Sequence, residues 1–183
     1  FADLRLPDGT TVFTNSSGVS ACIPPGPGPL PSAIETRLSG RYVRIAGACG
    51  PVFLRFPARS RQASDPGAGP GTDCVVPPGH SPGDTHAART AFYELNRMNE
   101  QARGYLPANA WLQTPVVANV NVNLTCGALW NGTSVTFYRG GACLNPGEIA
   151  GLLSHEWAHG LDDNNADPTI SNPQEAGADI HSI

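Results

Sequence analysis

The stretch LLSHEWAHGLDDNN, residues 152–165, decides how the chain is read. His155 and His159 stand four apart with Glu156 beside the first, which is the form HExxH. On an α-helix, residues four apart rise by about 6 Å and share a face, so both imidazoles can meet one metal ion at about 2 Å each. Glu156 is rotated from them by one residue, near enough to a metal-bound water to take its proton without being a ligand. The flanking residues support a helix. In NPGEIAGLLSHEWAHG, Asn145 suits the N-cap, Pro146 the first helical position and Glu148 the third, where a carboxylate can reach back to free amides. The pattern predicts a helix over about 146–159.

A metal held by two histidines needs at least one more protein ligand. Asp162 is nearest, but on a continuing helix it would lie about 10 Å along the axis from His155, beyond one coordination sphere, unless Gly160 turns the chain. The extended metzincin form, with a Gly and a third His further on, is absent. Glu175 is favoured. Asn172 and Pro173 signal a new helix in QEAGADIHSI, and Asp179 follows Glu175 by one turn on the same face. A Glu that closes the metal shell and an Asp that accepts a hydrogen bond from a ligand histidine's other nitrogen belong together.

Upstream, helical spacing begins at Asp84, with Ala88, Phe92, Leu95, Met98, Ala102 and Tyr105 along one face. Asp84 is a candidate N-cap and Gly104 a candidate terminator. VVANVNVNL alternates as a strand does, and ALWNGTSVTFY carries Asn131-Gly132, the strongest short hairpin signal in the chain. Residues 1–57 contain short apolar alternations separated by PDG, NSSG, PPGPGP and SG, which predict a small antiparallel module. The stretch RQASDPGAGPGTDCVVPPGHSPGD is rich in breakers and reads as a linker or strap. The expected fold class is α+β, with a β-rich module and linker over 1–75 and a catalytic subdomain over 76–183.

Composition limits the partners. Eleven Lys and Arg against fifteen Asp and Glu give a net charge of -4, with no basic surface for nucleic acid or anionic membrane. No apolar run approaches the roughly 20 residues that span a bilayer. The chain begins at Phe1 without a Met, so it reads as a mature or excised piece. Its five cysteines are spaced unlike CxxC motifs, which favours structural disulfides and secretion. Cys22 is expected to pair with Cys49 and Cys126 with Cys143, leaving Cys74 over. Sequons at Asn15, Asn123 and Asn131 are weak signals, since such triplets arise by chance.

HEWAH, followed 16 residues after its second His by the Glu of QEAGAD, resembles the thermolysin-like gluzincin metalloproteases, whose pattern is HExxH followed by ExxxD. The likeness covers roughly residues 84–183: a long helix, a strand, and ALWNG leading into a strand occur in the same order before the HExxH helix. The resemblance implies a zincin-type subdomain and a secreted zinc endopeptidase. Zinc would be bound by His155, His159 and Glu175. Glu156 would be the general base acting on a zinc-activated water, Asp179 would orient His155, and Gly127, Ala128 and Leu129 would form the edge strand that receives a peptide or protein substrate. Three departures stand out. Gln174 replaces an Asn that holds the second His, Gly127 replaces an Asn that bonds substrate, and the oxyanion-stabilising Tyr between the motifs has no equivalent in residues 160–174.

The family's C-terminal helical subdomain completes the cleft, so a further polypeptide is expected to supply it and to cover the apolar stripe of Ala176, Ile180 and Ile183. Asp162, Asp163 and Asp167 form an acidic loop that could hold calcium, although a solvated loop is the plainer reading. His86 and His181 read as ordinary polar positions, and Trp130 and Trp157 as packing residues. The rival class is an extracellular binding or structural protein with a degenerate metal site, consistent with the incomplete oxyanion machinery.

Overall fold

A computed structural model describes residues 3–5, 11–13, 33–36, 38–52, 54–57, 73–76, 80–165 and 178. The strands β1 (Asp3–Arg5), β2 (Thr11–Phe13), β3 (Ala33–Thr36), β4 (Val43–Gly47) and β5 (Leu54–Pro57) precede the long helix α1 (His86–Tyr105). After it come β6 (Val116–Thr125), β7 (Ala128–Trp130), β8 (Ser134–Arg139) and the helix α2 (Ala150–Asp163). The class is α+β.

Among the described residues, two four-stranded sheets form. One is antiparallel in the order β2-β1-β3-β5. The other is mixed, in the order β4-β6-β8-β7, with the first three strands parallel and β7 antiparallel on the edge. Turn-rich composition groups RYVRIA with the first 75 residues, but β4 within it pairs with Val116–Val120 of β6, from Val43↔Val116 to Gly47↔Val120. Alternation identifies a strand without identifying its partner, and here the partner lies across α1.

Burial follows the periods of the elements. On β6, Val116, Ala118 and Val120 are buried, and on β8, Val135 and Phe137. They share one core with Ala88, Phe92 and Leu95 of α1 and Leu153 and Trp157 of α2. Met98 and Ala102 pack against this core, but Tyr105, the last member of the expected stripe, is 78% exposed. The N-cap of α1 is Thr85 rather than Asp84: its Oγ1 accepts from Ala88 N at 3.1 Å. Asp84 is instead buried and accepts from Arg89 and His80. Burial pushes its carboxyl above the usual carboxylate range, against the opposing pull of the bonds to His80 and Arg89.

A β-bulge in β6 sets the site. The register with β8 shifts between Asn119 and Val122, and Asn121, at φ 57°, takes the left-handed conformation that Asn tolerates. Its fully buried side chain donates to Thr85 Oγ1 at 2.8 Å and accepts from Asn145 Nδ2 at 2.7 Å. Asn145 Nδ2 also donates to Asp73 Oδ1 at 2.8 Å, and the same oxygen accepts from Gly140 N at 2.8 Å.

Cys74, next to Asp73, is bonded to Cys49 just after β4. That bond corrects the expected Cys22–Cys49 pair: shared membership of the β-rich first part suggested Cys22, whereas Cys74 lies 5.3 Å, Cα to Cα, from Cys49 at the end of β4. Cys22 lies outside the described residues. Cys126 and Cys143 pair across the β7–β8 hairpin as expected.

Replacing Asn145 with Ala removes a cap and two side-chain donor contacts, one of them buried, and should cost about 2–4 kcal/mol. Urea unfolding measures this; a loss below about 0.5 kcal/mol would mean that the network does not hold the fold.

Candidate metal centre

Asn145 caps the chain as expected, its Oδ1 accepting from Gly147 N at 2.9 Å, but the first turn, Pro146–Glu148, is a 3-10 turn and α2 proper starts at Ala150. The Glu148 carboxylate approaches His86 Nδ1 at 3.4 Å, at the start of α1. From there α2 runs unbroken through Gly160 to Asp163. Gly160 therefore does not turn the chain, and Asp162 stays on the continuing helix.

Leu153, Trp157 and Leu161 bury the core face of α2. His155 and His159 emerge half-buried on another face, with their Nε2 atoms 3.1 Å apart and their rings edge to face. Two nitrogens each about 2.0–2.1 Å from one tetrahedral zinc stand roughly 3.3–3.4 Å apart, a few tenths of an ångström from the observed spacing, so the pair is placed to share an ion. Glu156, only 7% exposed, lines the same cleft. Among the described residues, no group of three His, Cys, Asp or Glu gathers here. Glu175, Gln174 and Asp179 lie outside the described residues, as do Asp167 and His181 and the stripe of Ala176, Ile180 and Ile183. Ala178, between Glu175 and Asp179, is helical and fully buried.

The cleft holds about 330 Å³. Ala128, Leu129 and Trp130 of β7 form one wall; His155, Glu156, His159 and Asp163 of α2 form the other. Among the described strands β7 ends the sheet, with one edge paired to β8. The hairpin turns at Asn131-Gly132 as expected: Asn131 Oδ1 accepts from Thr133 N at 3.0 Å and Ser134 N at 2.8 Å, and Gly132 takes φ 88°. Gly127 does not line the cleft. A Cβ there would stand 2.6 Å from Tyr138 Cδ2, so the Tyr138 ring excludes the side chain that the resemblance leads one to expect.

Three tryptophans hold β7 against α2. Trp111 meets Trp130 edge to face at 6.0 Å and tilts against Trp157 at 5.3 Å. Trp130 Nε1 donates to Asp163 Oδ2 at 2.6 Å. Both Trp111 and Trp130 approach α2 at Gly160, where a Cβ would lie 2.7 Å from Trp111 Cζ2 and 3.2 Å from Trp130 Cη2. Sequence reasoning missed Trp111 and read Asp163 as part of a solvated loop. The available signal was Gly160 itself, since a glycine inside a helix costs about 1 kcal/mol and is kept for close packing.

No protein-family model matches the chain, and no curated protein matches it.

Gly160→Ala should gain about 1 kcal/mol in helix propensity and lose more, about 1–3 kcal/mol, to overpacking against Trp111. Unfolding followed by tryptophan emission tests the balance: net destabilisation with a shifted native spectrum is expected, and net stabilisation would contradict the packing role.

Proposed function

We propose that this chain carries the catalytic helix of a secreted, thermolysin-like zinc endopeptidase with a zincin-type subdomain. The observation that carries the reading is the convergence of two imidazole Nε2 atoms in a cleft whose opposite wall is an edge strand. His155 and His159 would hold zinc through their neutral rings, with Glu175 as the third ligand, Asp179 beside His155 and Gln174 beside the second histidine. When bound, zinc supplies a Lewis acid that polarises the scissile carbonyl and makes water a nucleophile near neutral pH.

The chain's own residues do the rest. Glu156, largely withdrawn from solvent between the histidines and the core, takes a proton from the attacking water on its carboxylate. It then gives that proton to the leaving amine nitrogen. The backbone edge of β7 that no described strand pairs, around Ala128 and Leu129, can pair with an extended peptide, which would lie across the two histidines. Two disulfides, and the absence among the described residues of a helix long and apolar enough to cross a membrane, are compatible with an extracellular protein.

Glu156→Ala should keep zinc and lower peptide hydrolysis at least about a hundredfold, because the base acts on water and does not hold the metal. Zinc content and turnover of a generic protein substrate, measured on the longest natural form, test this together. Hydrolysis near the parent rate would refute the mechanism. In the same assay Glu175→Ala should lose zinc and Asp162→Ala should retain it; equal zinc in both would remove Glu175 as third ligand.

A further inference from the structure

We infer that the cleft selects peptides carrying a cationic side chain, Lys or Arg, recognised by Asp163 together with the indole of Trp130. The inference rests on the reading of the cleft as a peptide site and adds the class of peptide it takes. Asp163 is exposed at the C-terminal end of α2 and lines the cleft. Its Oδ2 is held by Trp130 Nε1, which fixes the carboxylate against the edge strand. A carboxylate accepts about four hydrogen bonds, and among the described residues the bond from Trp130 Nε1 occupies one of these positions on Asp163, which leaves acceptor capacity for a ligand. The Trp130 ring beside it is half-buried and offers the surface on which an ammonium or guanidinium packs favourably.

Charge points the same way. The described lining contains two carboxylates, Glu156 and Asp163, and no Lys or Arg. Glu156 is buried beside the histidines and serves the water, which leaves Asp163 as the exposed negative group toward which a substrate side chain can reach. A purely structural tie between helix and strand would need only an oxygen to accept the indole N–H. An Asn at this position supplies that oxygen without the charge, so the two roles can be separated.

The test uses the full natural chain, loaded with zinc and carrying Glu156→Gln to stop turnover. Two peptides identical except for Arg against its neutral isostere citrulline are titrated by calorimetry, with and without Asp163→Asn. Equal melting temperatures and tryptophan emission with and without Asp163→Asn confirm that the tie is kept. The Arg peptide is expected to bind about five- to tenfold tighter at low ionic strength. That preference should shrink in 1 M salt and vanish with Asp163→Asn. Equal binding of the two peptides, or a preference that survives Asp163→Asn, would overturn the inference while leaving the peptide cleft standing. If neither peptide binds, the reading of the cleft as a peptide site fails and the inference falls with it.

Discussion

The side chain of Asn145 is the point on which the site depends. Buried at the start of the chain's turn into α2, it caps Gly147, bonds Asn121 in the β6 bulge and bonds Asp73 in the strap. Through Asn121 it also reaches Thr85, the cap of α1. A buried network satisfied on every side fixes directions as well as adding stability, because each unpaired member would carry its full desolvation cost. The direction fixed here is that of α2, and with it the face on which two histidines emerge.

The other end of α2 is held by a different kind of force. Trp111 and Trp130 close onto Gly160, and Trp130 ties to Asp163. Polar bonds thus set the N-terminal entry and aromatic packing sets the C-terminal end, with the histidines on the span between them. Sites supported on rigid elements hold their geometry before the ligand arrives. The 3.1 Å separation of the two Nε2 atoms is the product of that support. The same packing sets the width of the cleft, since the strand that would receive a peptide is the one Trp130 belongs to.

How much of this was legible in the sequence depended on range. Local signals read well: the Asn145 cap, the turn at Asn131-Gly132, the Cys126–Cys143 pair and the i, i+4 histidines each involve residues whose relation is set within a few positions or across one hairpin. Long-range partners did not. β4 carried an alternating pattern that could have paired in either sheet, and Cys49 found Cys74 rather than Cys22 of the same β-rich stretch because a disulfide obeys spatial distance. Thr85 displaced Asp84 as cap because Arg89 and His80 claim the Asp84 carboxylate, which becomes visible only once the helix is in place. Asn121 turned inward because a bulge reversed the strand's alternation, and no period of two foresees a bulge. The departure at Gly127 is a similar case: its cause is a ring eleven residues away, Tyr138 on the neighbouring strand.

The claim that all of this supports is a zinc ion shared by His155 and His159. Zinc-edge X-ray absorption on the natural, folded protein measures it most directly. The account expects one zinc per chain in a shell of nitrogen and oxygen donors, with the outer-ring scattering of two imidazoles, and loss of that signature when either histidine is replaced by Ala. A folded protein that retains no stoichiometric zinc, or one whose zinc shell is unchanged by those replacements, would contradict it.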